Sequence, residues 1–204
     1  MNASAALSIL QKLGVPSIDT ADAAAALGMT TAGASQTLAR LANAGLISRV
    51  RHGTWWLEDH IDPLRLPEYL TGPLPAYVSL QTALHRHGLI EQIPEVVYAV
   101  SLARTQRVTT EVGTFSIHHM APEVFGGFDG TARGAKVATA EKALFDVAYL
   151  SGGRSRLFTS LPELVLPRGF RRKELSRWVA KIPSERGRTL TSQKLTSLLA
   201  TASA

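Results

Sequence analysis

With 204 residues, 45% of them hydrophobic, no cysteine and a formal net charge of +6, the chain has room for one ordinary domain or two small ones and enough apolar material for a core. The lack of cysteine excludes disulfides, thiolate zinc sites and a cysteine nucleophile, and agrees with a reducing compartment. The start, Met1 to Leu7, lacks the basic stretch of a secretory leader, and no apolar run approaches the ~20 residues of a bilayer span, so a cytoplasmic protein with no membrane partner is expected.

In chain order, Ser4 to Leu13 reads as a first helix with Leu7, Ile9, Leu10 and Leu13 apolar. Thr20 to Met29 reads as a short helix closed by Gly28. Thr30 then caps a helix that runs to about Ala44, with Gly45 as its stop. Within it Ala34, Leu38 and Leu41 fall at i, i+4 and i+7, so one stripe faces a core, while Ser35, Gln36 and Arg40 lie on the opposite face. Thr31, in the first turn, is grouped with them. Leu46 to Arg51 alternates apolar with polar, His52-Gly53 turns, and Thr54 to Leu57 returns, giving a hairpin with Arg49, Arg51 and His52 on one basic face and tip.

Short helix, glycine turn, capped second helix and basic hairpin, in that order, are the parts of a winged helix-turn-helix. The expected mechanism is groove reading by the capped helix and backbone contact by the hairpin, with Thr31, Ser35, Gln36, Arg40, Arg49, Arg51 and His52 as DNA-binding residues. Trp55 and Trp56 adjoin on one strand, so one is expected to face the core and the other solvent or a neighbouring element, packed against the following linker or stacked on a base.

Residues 1–58 thus form the first expected domain. Residues 59–75 hold Pro63, Pro67, Pro73 and Pro75 with Gly72, a composition that cannot sustain a regular element for long and reads as a linker. The second domain, 76–204, is expected to be mixed: a helix over Ser79–His87, a buried strand over Val96–Leu102, and strands Arg107–Thr110 and Thr114–His119 paired across Val112-Gly113. A flexible loop follows at 126–130, then a short strand over Lys136–Ala138 and a strong helix over Thr139–Leu150 with Ala143, Leu144, Val147 and Leu150 inward. Helices over Arg171–Ile182 and Thr191–Thr201 close the chain. The fold class is α+β.

Residues 1–62 carry four basic and five acidic side chains, residues 63–150 seven and eight, and the last 54 residues eleven and three, so the end of the chain supplies the whole excess. Arg168, Arg171, Arg172, Lys173 and Arg177 crowd within ten residues, a one-signed patch that suits DNA phosphates or an acidic partner and is assigned here to DNA.

Tyr77-Val78-Ser79-Leu80-Gln81-Thr82-Ala83-Leu84-His85-Arg86-His87-Gly88-Leu89-Ile90, then Pro94 to Val100, then Val137-Ala138-Thr139-Ala140-Glu141-Lys142-Ala143-Leu144-Phe145-Asp146, resemble the AbiEi antitoxins of bacterial type IV toxin-antitoxin systems. With the N-terminal module in the expected order, the resemblance covers nearly the whole chain and is weakest at the basic end. It implies a non-enzymatic protein that represses its own operon by binding double-stranded promoter DNA and counteracts a nucleotidyltransferase-like toxin, directly or indirectly. The alternative is a stand-alone winged-helix regulator whose second domain senses a ligand or partner. Glu141 and Asp146 are read as capping and packing residues rather than a site.

No cofactor, metal or catalytic residue is expected. His85 and His87 point about 200° apart on a helix and His118 and His119 face opposite sides of a strand, so neither pair is a ready chelate. There is no His-Glu-x-x-His and no Gly-x-Ser-x-Gly, and the glycines at 126, 127 and 130 are not followed by Gly-Lys-Ser/Thr.

Overall fold

The computed structural model describes residues 2–58, 60–152 and 163–202. The chain divides into two compact units, Met1–Pro63 with Thr109–Gly113, and Leu64–Val108 with Thr114–Ala204.

In the first unit, α1 (Ala3–Gln11) is capped by Asn2, whose Oδ1 accepts from Ala5 N–H, and it ends before Leu13 because the chain turns into Gly14 at φ 66°. α2 (Thr20–Leu27) stops at Gly28 in the left-handed region, φ 63°, where a side chain would be strained. α3 (Thr31–Asn43) follows at once, capped by Thr30 Oγ1 on Gly33 N–H. A three-stranded antiparallel sheet joins these helices: β1 (Ser17–Asp19), β2 (Ser48–Arg51) and β3 (Thr54–Trp56), in the order β1-β3-β2. Ala6, Leu10, Ile18, Leu27, Leu38, Leu41, Ile47 and Trp55 form its core.

The second unit begins at Leu64, inside the stretch expected to be a linker. Four prolines and a glycine did not prevent α4 (Leu66–Thr71), because Pro67 sits at the start of the helix, where its missing N–H is harmless, and Leu66, Leu70 and Thr71 are buried. Its six-stranded sheet is built from β4 (Ala76–Val78), β5 (Val97–Ser101), β6 (Gln106–Thr110), β7 (Gly113–His119), β8 (Phe128–Gly130) and β9 (Lys136–Ala138), in the order β6-β7-β5-β4-β9-β8. It is mixed: β4 runs antiparallel to β5 and parallel to β9, and β5 runs parallel to β7.

Residues 128–130, expected within a flexible loop, form an edge strand antiparallel to β9. The cause is Phe128, whose ring lies 4.9 Å from that of Tyr77 and 6.2 Å from that of Phe125, so the strand is drawn onto the core. The helices are α5 (Leu80–Arg86), α6 (Ala140–Ser151), α7 (Arg172–Ala180) and α8 (Glu185–Ala200). α8 begins at Glu185 rather than Thr191, since Ser184 caps it on Gly187 N–H. α6 is not the one-sided helix its pattern predicts: every residue from Glu141 to Ala148 is buried, because α5, α7 and α8 all pack on it. The architecture is therefore mixed α+β. No helix among the described residues is long and apolar enough to cross a membrane.

Candidate nucleic-acid interface

α3 presents two faces of opposite character. Ala34, Leu38 and Leu41 are 0% exposed, and Thr37 joins them, its hydroxyl donating to Met29 Sδ at 3.8 Å. Thr31, Ser35, Gln36 and Arg40 are exposed. Arg40 donates from Nη2 to Thr37 Oγ1 at 3.2 Å, which holds the guanidinium along the helix one turn beyond Gln36. The 3.6-residue period sorts these side chains, and nothing in the packing of the unit needs the exposed four.

The hairpin is irregular. Its register shifts between Arg49 and Arg51, and both arginines are exposed while Val50 between them is 1% exposed. Arg49 donates from Nη2 to His52 Nδ1 at 2.9 Å, and its guanidinium lies 5.5 Å over the Trp55 ring. Arg51 Nε donates to Thr54 Oγ1 at 3.2 Å, and that hydroxyl donates to Asp19 Oδ1 at 2.7 Å. His52, at the turn, is exposed.

Both tryptophans are buried, Trp55 at 4% and Trp56 at 0% exposure, so of the settings expected for the second ring the solvent-facing one is excluded. β3 is the middle strand of its sheet, paired on one edge by β2 and on the other by β1, an arrangement that no local pattern in the sequence reveals. Trp55 packs in the core of the unit and donates from Nε1 to Thr20 Oγ1 at 2.9 Å, so neither ring is available to stack on a base.

The structure thus places Thr31, Ser35, Gln36, Arg40, Arg49, Arg51 and His52 at exposed positions of one unit. The remaining cations lie in the second unit, where Arg168, Arg171, Arg172, Lys173 and Arg177 are all exposed. They are not equivalent. Arg177 donates to Glu174 Oε1 at 2.6 Å, and Arg171 donates its backbone N–H (2.9 Å) and Nε (3.4 Å) to Glu141 Oε1. Burial works to raise the Glu141 carboxyl, but hydrogen bonds from the backbone of Arg171 and from its own backbone N–H, with the Arg171 guanidinium, outweigh it and hold the group below the usual carboxylate range.

No family model matches the chain, and no curated protein matches it.

Two polar groupings leave little mark in the sequence. One is the set Asp19, Thr20 and Thr54, which ties the hairpin to β1; its only trace is the alternation of Ser17-Ile18-Asp19, too short to read as a strand. The other lies in the second unit, where Asp146 is wholly buried and accepts from Ser79 Oγ (2.6 Å), Tyr77 OH (3.1 Å) and Lys142 Nζ. Its signal is a Lys-Asp pair four apart on an apolar helix. The histidines are dispersed: His85 Nδ1 lies 3.3 Å from Ile90 O, His87 Nε2 lies 2.7 Å from Ala138 O, and His118 Nε2 lies 3.0 Å from Ser116 Oγ. Among the described residues no three side chains of metal-binding type converge.

Proposed function

We propose that the N-terminal unit is a winged helix-turn-helix that binds double-stranded DNA, with α3 in the major groove and the β2–β3 hairpin as a wing on the backbone. The observation that carries this reading is the exposed polar face of α3, opposite a fully buried Ala34/Leu38/Leu41 stripe, in the same unit as the exposed basic hairpin. Ser35 and Gln36 stand in the N-terminal half of α3, where a recognition helix meets base edges. Arg40, held by Thr37, is placed for phosphate.

We further propose that the protein is a non-enzymatic cytoplasmic antitoxin that represses its own operon and counteracts a nucleotidyltransferase-like toxin. This part rests on the resemblance of residues 77–90, 94–100 and 137–146 to the AbiEi antitoxins. The basic end would add electrostatic affinity. Arg172 and Lys173 occupy the first turn of α7, where the helix dipole disfavours cations, so helix stability does not account for them.

The test is a mobility-shift titration of the full chain on its own promoter and on scrambled DNA of the same length, with Gln36→Ala alongside. The native chain should prefer the promoter, and Gln36→Ala should lose ~1 to 3 kcal/mol of that preference while remaining folded. Equal binding of both DNAs by the native chain, or an undiminished preference in the variant, would sink the assignment of α3.

A further inference from the structure

The line of α3 opposite the buried Ala34/Leu38/Leu41 stripe is made of small residues around one longer side chain. Ala32, Gln36, Ala39 and Asn43 follow there at i, i+4, i+7 and i+11, and all are exposed except Ala39, which is half-buried. The alanines on either side of Gln36 let the helix backbone come close to a groove floor, and the Gln36 carboxamide is the group that projects beyond them.

That carboxamide is uncommitted. The side chains of Thr31, Ser35 and Gln36 bond to nothing among the described residues, whereas Arg40 donates to Thr37. Gln36 therefore keeps an acceptor oxygen and two donor hydrogens on one group. In the major groove adenine shows an N6 donor beside an N7 acceptor, which a carboxamide meets with both its ends. Guanine shows two acceptors, O6 and N7, which arginine or lysine meets best. Residues 31–39, about two and a half turns of α3, contain neither arginine nor lysine. Thymine, the partner of adenine, carries a methyl group that packs against small apolar side chains such as alanine. Ala32 precedes Gln36 by four residues, about 6 Å along the axis, which is roughly the rise of two base pairs.

We propose that α3 reads an adenine through Gln36, with Oε1 accepting from N6 and Nε2 donating to N7, and that the Ala32 methyl packs on the methyl of a thymine one or two pairs away. The duplex beneath α3 is then A·T at its centre. This inference rests on the reading of α3 as a recognition helix.

The experiment is selection from a pool of randomised DNA duplexes by the full chain and by Gln36→Ala, followed by titration of both proteins on the enriched duplex carrying single-atom changes. Gln36→Ala is an exposed helix substitution, and an unchanged melting temperature checks that its fold is intact. The native chain should enrich a motif with an A·T pair at the one position where Gln36→Ala loses its preference. At that position 7-deazaadenine, which lacks the N7 acceptor, should weaken the native chain about fivefold and leave the variant unaffected. Deoxyuridine in place of a thymine one or two pairs away, which removes the methyl, should weaken the native chain about fourfold. A Gln36-dependent position that is G·C, or full tolerance of 7-deazaadenine there, would overturn the inference and leave α3 a recognition helix. Tolerance of deoxyuridine at every thymine would remove the Ala32 contact. A motif unchanged in Gln36→Ala, or no motif at all, would overturn the recognition-helix reading as well.

Discussion

Lys142 and Asp146 stand one turn apart on α6 and form an ion pair in which each side chain is 0% exposed. Their surroundings are aromatic and hydroxylic: the Lys142 ammonium faces the rings of Trp178 at 4.6 Å and Phe145 at 4.8 Å, and the second oxygen of Asp146 is taken by Ser79 and Tyr77. Burial pushes the Asp146 carboxyl up and the Lys142 amine down, and each partner opposes the shift of the other. Burial and Asp146 together also raise the Tyr77 phenol. Removing one partner strands the other. Asp146→Ala should therefore cost ~3 to 5 kcal/mol, whereas Lys142→Met with Asp146→Leu should be far less damaging than either half. Urea denaturation of Asp146→Ala, the double variant and each of its halves checks this, and a double variant as unstable as Asp146→Ala would refute it.

The hairpin arginines should act on affinity without regard to sequence. Arg49→Ala with Arg51→Ala is expected to weaken binding to promoter and scrambled DNA alike, and to reduce the slope of log affinity against log salt by ~0.9 for each phosphate no longer neutralised. Fluorescence anisotropy across a salt series reads both quantities. An unchanged slope would remove the hairpin from the interface.

Among the basic residues of the second unit, Arg171 and Arg177 already bond to acids of the chain, so Arg168, Arg172 and Lys173 are the better probes. Replacing these three with glutamine should flatten the salt dependence of DNA binding and leave protection against the toxin intact. The opposite pattern, a preserved slope with protection abolished, would reassign the patch to the toxin.

Glu141 gives a pH signature. Its folded carboxyl lies below the ordinary range because bonds from Arg171 and from its own backbone N–H outweigh burial. The stability this contributes is present above the unfolded value of about 4.3 and is lost as pH falls through the folded value. Glu141→Gln should cost ~1 to 2 kcal/mol near neutrality and make thermal stability less sensitive to acid. Parallel melting curves of native and variant protein between neutral and acid pH would count against it.

Local signals in the sequence carried most of the first unit. Thr30, Gly28 and Gly45 mark helix ends by their own conformational preferences, and the Ala34/Leu38/Leu41 period names the buried stripe, hence also the exposed Ser35 and Gln36. What escaped depends on partners distant in sequence. β1 is three residues long and exists because β3 pairs with it. The periodicity of α6 pointed to one apolar side, but three helices enclose it, so Glu141 and Lys142 are buried where a polar face was expected. Pro67 looked like a breaker and proved to be a helix start.

The bonds between β1 and β3 close a neck. Asp19 meets Thr54, and Thr20 donates both its N–H (2.8 Å) and its hydroxyl (3.1 Å) to Gly53 O, so the end of β1 is tied to the start of β3 at one place. Everything between, α2, α3 and β2, is a lasso cinched at its base. A cinched loop has little freedom to tilt its helix independently of its hairpin, so α3 and the arginines keep one mutual placement. The same closure makes the loop a single cooperative unit: in native-state hydrogen exchange the amides of Thr20, Leu38 and Trp55 should open with one common free energy, and separate values would mean that the neck does not hold.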